Sequence, residues 1–194
     1  MSKNHPASSL RIKTTRLKLI PCPLEVAEAS IFNPLRVAEI LGASVPEDWQ
    51  KTEVQDFLPM YAQMLVDDPS NLGWGVWLMI QSQQNILIGD LGFGGKPDES
   101  GSLEIGYEVF AAYRNQGYAF EAVEALVNWA FSHPELKRIV AHCPLDNLAS
   151  MQILSKLGME QLHLVEMPEV PDTQVWKWQL MNQSKIPNTQ SKIL

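Results

Sequence analysis

The chain has 194 residues, 45% of them apolar, and 15 Lys and Arg against 22 Asp and Glu give a formal charge of −7. That length favours one domain able to bury a full core, and the acidic balance supplies no field for nucleic acid and no polybasic patch for a membrane surface. Two cysteines, Cys22 and Cys143, are too few for a disulfide scaffold or a cysteine-rich metal site.

The N-terminal MSKNHPASSL lacks the apolar segment of a secretory signal, and nowhere do about 18 apolar residues run together, so the expected location is cytoplasmic. Residues 1–9 read as a flexible N-terminus, 10–181 as a single domain and 182–194 as a polar tail. The first strand is expected over Leu10–Ile20, where Leu17 and Leu19 alternate with Arg16 and Lys18, and Pro21 and Pro23 stop it. Two short helices follow, Leu24–Ile31 and Leu35–Leu41, the second closing at Gly42; a third fits the periodic apolar residues of Glu53–Val66. Trp74–Ile80 and Ile86–Phe93 read as a hairpin, and a glycine-rich turn leads into a strand at Ser102–Val109. The pattern then changes to helix (Tyr118–Phe131), strand (Arg138–Cys143), helix (Leu148–Leu157) and two final strands (Gln161–Met167, Thr173–Met181). This order predicts a mixed α/β sandwich around one central sheet.

The segment Glu104–Ala119 carries the most chemical information. A strand ends, a short loop turns, and a helix with an apolar stripe (Ala119, Ala122, Val123, Leu126, Val127, Ala130) opens at Gly117. Its first turn offers free backbone N–H groups and the positive end of the helix dipole, a ready site for a phosphate or pyrophosphate. Gly117 keeps a side chain out of the way of close approach, although a glycine before a helix also serves an ordinary turn. No Gly-Lys-Ser/Thr follows, and the three-glycine dinucleotide spacing is absent. His142 and Cys143 are neighbours in a strand and point to opposite faces, which argues against a nucleophile–base pair between them. His5, His133, His142 and His163 show no ligand spacing, so no metal is assigned.

Arg114-Asn115-Gln116-Gly117-Tyr118-Ala119 resembles the Arg/Gln-x-x-Gly-x-Gly/Ala signature of the GNAT N-acetyltransferases. Asp146-Asn147-Leu148-Ala149-Ser150, running into Lys156-Leu157-Gly158-Met159, is similar to a second block of the branch that acetylates ribosomal-protein N-termini (RimJ/RimL-like), as is the opening Thr15-Arg16-Leu17-Lys18-Leu19. The resemblance spans roughly residues 10–181. It implies a central mixed, mostly antiparallel sheet with helices on both faces, in which the parallel strands 102–109 and 138–143 splay apart around the pantetheine arm of acetyl-CoA. By position, the backbone of Glu108, Val109 and Phe110 would meet that arm. Arg114, Asn115, Gln116, Gly117, Tyr118 and Ala119 would receive the pyrophosphate. Asn147 would bond the pantetheine, Ser150 would lie near the thioester sulfur, and Lys156 stands where it could reach a nucleotide phosphate or simply serve the helix dipole.

Acetyl transfer needs a neutral amine, a stabilised oxyanion and a protonated leaving thiolate. Alternation puts Glu104, Gly106 and Glu108 on one strand face. Glu104 aligns with the carboxylate that serves some family members as general base, acting through water. Glu108 lies about 13 Å further along, at about 3.3 Å per residue, so the two cannot share one amine. Where many relatives carry a tyrosine acid, this chain has Leu154, and Ser150 or water is left for that role. The expected partners are acetyl-CoA and an amine acceptor, either a protein N-terminus or a small amine such as a polyamine, aminoglycoside or amino acid. An α-amine with a pKa of about 7.7–8.0 needs less base assistance than a lysine at about 10.4. Leu154 also leaves open a CoA-binding regulatory module without turnover. The expected assembly is a monomer or homodimer, and the segments before residue 73 and the turn at 168–172 are expected to shape the acceptor site.

Overall fold

Thr14 divides the first expected strand. In the structure, a computed structural model that describes residues 10–167 and 173–182, Leu10–Ile20 becomes two antiparallel strands, β1 (Ile12–Lys13) and β2 (Leu17–Pro21), with Ile12 opposite Leu19. The Thr14 hydroxyl accepts the Leu17 N–H at 3.0 Å while its own N–H donates to the Leu17 carbonyl at 3.0 Å. A hydroxyl bonded to nearby backbone offers the chain an alternative to the ladder, and a tight turn results. The expected N-terminal segment, the turn at 168–172 and the tail beyond Asn182 lie outside the described residues.

Two compact units can be described. The first comprises residues up to Lys96 together with Ile105–Leu126; the second comprises Pro97–Glu104 and the chain from Val127 onward. In the first unit, α1 (Leu24–Phe32), α2 (Val37–Leu41) and α3 (Val54–Asp67) accompany β3 (Val76–Gln81) and β4 (Ile86–Phe93). β2, β3, β4 and the later part of β5 (Ser102–Val109) pair antiparallel, through Leu19 with Met79, Met79 with Gly89, and Gly89 with Val109. A register shift between Met79 and Ile80 interrupts the β3–β4 ladder. One core cluster joins Cys22, Val26, Trp49, Leu58, Tyr61 and Leu78. Trp49 enters it from a 3₁₀ turn at Glu47–Lys51, which no apolar periodicity announced, and its indole N–H donates to the Ser30 hydroxyl at 3.1 Å.

The second unit holds the start of β5, the end of α4 (Tyr118–Phe131), β6 (Arg138–Pro144), α5 (Leu148–Lys156), β7 (Glu160–Glu166) and β8 (Gln174–Met181). Ser102–Glu104 run parallel to Arg138–Val140, and that ladder ends at Glu104. β6 pairs antiparallel with β8, and β8 with β7. The hydrogen-bonded order is β1-β2-β3-β4-β5-β6-β8-β7, an eight-stranded, mostly antiparallel sheet with one parallel pair, as the resemblance implied. Among the described residues no helix is long and apolar enough to cross a membrane.

β3 starts at Val76, two residues later than its apolar run suggests, and just ahead of it Gly75 passes against Tyr61. A Cβ on Gly75 would stand 2.1 Å from the Tyr61 ring, and that ring is fully buried with its hydroxyl donating to the Cys22 carbonyl at 2.9 Å. Gly75→Ala is therefore expected to cost about 1–3 kcal/mol by overpacking, a fall of roughly 2–10 °C in Tm readable by calorimetry.

Candidate active site

Arg114 folds back on the strand that precedes it. Its Nε donates to the Val109 carbonyl at 2.7 Å and its Nη2 to Glu108 Oε1 at 3.3 Å. The Phe110 N–H donates to the Ile88 carbonyl at 2.8 Å, so this backbone group is already engaged by β4. The chain then turns through Ala111–Tyr113 and takes a positive φ at Asn115 (59°) and at Gly117 (80°) before α4 begins at Tyr118. At Gly117 that conformation strains any side chain, which explains the glycine. The first-turn N–H groups of α4 have no acceptor within the helix.

Arg16 locks this loop. Its backbone N–H and Nε donate to Glu121 at 2.8 and 2.7 Å, its Nη1 donates to the Gln116 carbonyl at 2.8 Å, and its guanidinium lies 4.3 Å from the centre of the Tyr118 ring. Thr14 adds a hydroxyl donor to Glu121. Partial burial opposes ionisation of Glu121, but the bonds from Thr14 and Arg16 outweigh it and hold the carboxyl below its ordinary range. Nothing in the spacing of residues 14–16 and 121 announces this clamp; the sequence singled out Arg16 only as part of a family-like strand.

A second group of predicted residues gathers around β5 and β6. Glu104 Oε1 lies 2.7 Å from His142 Nδ1, with the two side chains 56% and 27% exposed. Glu104 pairs with Val140 in the parallel register, and alternation brings His142 to the same face two residues on. His142 is the residue that sequence reasoning missed. The sequence relates it to Cys143 and to the other histidines, whereas its partner lies on another strand, through a register that one sequence does not display. Cys143 is buried on the opposite face, and burial pushes its thiol up despite a hydrogen bond from Ser150. A thiol kept protonated is a poor nucleophile, in keeping with the expectation that Cys143 forms no acyl-enzyme.

Asn147 caps α5, its Oδ1 accepting the Ser150 N–H at 3.0 Å, so its NH₂ is the amide's donor for any further bond. Ser150 also contacts Cys143 and is half-buried. Leu154 is fully buried in the packed face of α5 and offers no proton donor. Lys156 stands in the last turn of that helix. Among the described residues no three His, Cys, Asp or Glu side chains are gathered as a metal ion requires.

These elements define an acyltransferase scaffold. The acetyltransferase (GNAT) domain family matches residues 16–160, and the chain belongs to that family as an N-acetyltransferase. The uncharacterized N-acetyltransferase YjdG of Bacillus subtilis is 31% identical over 147 residues, 76% of this chain and 88% of that protein. Two solved structures share the fold. Ribosomal-protein-S5-alanine acetyltransferase from Vibrio fischeri has a TM-score of 0.67 at 14% identity, covering 92% of this chain and 100% of that one. RimL, the ribosomal L7/L12 α-N-protein acetyltransferase solved in complex with coenzyme A, has a TM-score of 0.64 at 19% identity, covering 89% and 98%.

The clamp predicts its own pH dependence. A depressed Glu121 pKa stabilises the fold above the unfolded value of about 4.3, and that contribution is lost as pH falls through the lower folded value. Glu121→Gln should lower stability near pH 7 by about 1–2 kcal/mol, moderated by the exposure of Arg16, and flatten the acid limb of a urea-denaturation series.

Proposed function

We propose that residues 10–181 act as one domain that transfers the acetyl group of acetyl-CoA to a primary amine by direct attack on the thioester. The observation that carries the cofactor end is the Arg114–Tyr118 loop. It has the family signature, two positive-φ residues and an opening helix, and Arg16 and Glu121 hold it rigid before any ligand arrives. Pre-ordered N–H groups bind pyrophosphate without first losing conformational entropy. Asn115, Gln116, Gly117, Tyr118 and Ala119 supply that cradle, Arg114 supplies charge, and the Val109 N–H is the strand donor for the pantetheine, since β4 holds the Phe110 N–H and Arg114 holds the Val109 carbonyl.

In this reading Glu104 takes the ammonium proton through water or through His142. An imidazole has one nitrogen to accept a proton and another to pass one on, so His142 suits a relay between the amine and Glu104. The neutral amine attacks the thioester carbon, the C–N bond forms, and the C–S bond breaks. A backbone N–H stabilises the oxyanion, and the leaving thiolate takes a proton relayed by the Ser150 hydroxyl or by water. A protein N-terminal α-amine is the favoured acceptor, because RimL and the S5-alanine enzyme, which share the fold, act on ribosomal proteins.

Thiol release from acetyl-CoA with a panel of N-terminal peptides, polyamines, aminoglycosides and amino acids tests this directly. Glu104→Gln should lower kcat roughly 10²–10⁴-fold while leaving the KM for acetyl-CoA unchanged. Full activity in Ser150→Ala would assign the thiolate's proton to water, and tight CoA binding without turnover on any amine would establish a silent module. Gly117→Asp, which puts a carboxylate into the cradle at a φ of 80°, should weaken CoA binding at least about tenfold by calorimetry; unchanged affinity would remove the loop from the cofactor site.

A further inference from the structure

Asp90 is a buried carboxyl that the reaction described above does not use. It lies in β4, is 6% exposed, and its Oδ2 has no hydrogen-bond partner among the described residues. A native protein rarely leaves such an atom unmatched, since an unpaired buried polar group costs about 1–3 kcal/mol. Its cross-strand neighbours are Leu78 on β3 and Glu108 on β5. Directly opposed residues of antiparallel strands share a face, so Asp90 and Glu108 stand side by side on the face where Leu78 joins the core of α1 and α3.

The groups around Asp90 are acidic. Cys22, fully buried at the end of β2, feels its charge, and Glu108 and Glu53, just ahead of α3, both act on it. A cation, Arg114, reaches Glu108 at 3.3 Å. Asp90 is buried, Glu108 half-buried and Glu53 exposed. Burial first, then these two carboxylates, push the Asp90 carboxyl up to about 8.

We infer that Asp90, with Glu108 and Glu53, forms a binding subsite for an alkylammonium group, a cationic group of the acceptor other than the amine that reacts near Glu104, and that its unpartnered Oδ2 is the atom the ammonium N–H meets. The site does not gather three ligands closely enough for a metal ion, whereas an ammonium donates at most three hydrogen bonds on a carbon stem that suits an apolar wall of Leu78 and Cys22. Burial and the neighbouring carboxylates favour the protonated form of Asp90. Entry of the cation favours its carboxylate, so one proton leaves Asp90 for solvent as the ammonium–carboxylate pair forms. The subsite rests on the amine-acetyltransferase reading for its biological occupant, but it is tested without turnover.

Calorimetric titration of n-butylammonium, with n-butanol as the uncharged control, into the full chain at pH 7 in two buffers of different ionisation enthalpy gives both affinity and proton release. The expected result is binding of the ammonium with release of up to one proton and no binding of the alcohol. Asp90→Asn should weaken binding roughly tenfold or more and abolish the proton release, while Glu53→Gln, an exposed change that spares the core, should weaken it about two- to fivefold. Equal affinity in wild type and both variants, equal binding of the alcohol, or no binding of n-butylammonium to the wild type overturns the subsite. CoA titrated into the same samples keeps the two questions apart: loss of CoA binding with ammonium binding intact would refute the acetyltransferase reading alone.

Discussion

The Glu121 carboxylate organises the first unit. It collects three donors from residues 14–16, more than a hundred positions earlier, and so ties the turn between β1 and β2 to the first turn of α4. The same Arg16 guanidinium reaches back to the Gln116 carbonyl and stacks on Tyr118, so one side chain restrains the loop from both ends. The pair is strong for its position because Glu121 is mostly shielded from water and its acceptor capacity is nearly filled. A phosphate cradle built from backbone N–H groups depends on such restraint, since its donors are only as well placed as the chain that carries them.

Carboxylates do three different jobs in this protein, decided by what surrounds each. Glu121 stays ionised because donors converge on it. Glu104, more than half exposed, pairs with the His142 imidazole on the neighbouring strand. Asp90 is buried beside other acids and holds its proton. The formal charge of −7 therefore says little about anion binding, because backbone dipoles such as those that open α4 enter no residue count.

Much of the fold was legible because it rests on local patterns. The apolar stripe of α4, the glycine at its start and the alternation of β5 each follow from residues near one another in the chain, and the structure shows all three. The capping of α5 by Asn147 is equally local, yet the family resemblance assigned that side chain to the pantetheine instead. Less legible was the start of the chain, where Thr14 turned one alternating segment into two strands, and Trp49, buried from a turn without periodicity.

Residue types and short-range spacing were enough to reveal the family, the glycine at the start of α4 and the strand faces, because backbone geometry and helix dipoles act over a few residues. Glu104 with His142, Arg16 with Glu121, and Asp90 with Glu108 are pairings of another kind. Each joins residues that are distant in sequence, through strand register or tertiary packing. A one-residue slip of register would turn the same side chains to the opposite face, so only the assembled sheet decides which acid meets a histidine, which meets an arginine, and which is left with an unmatched oxygen.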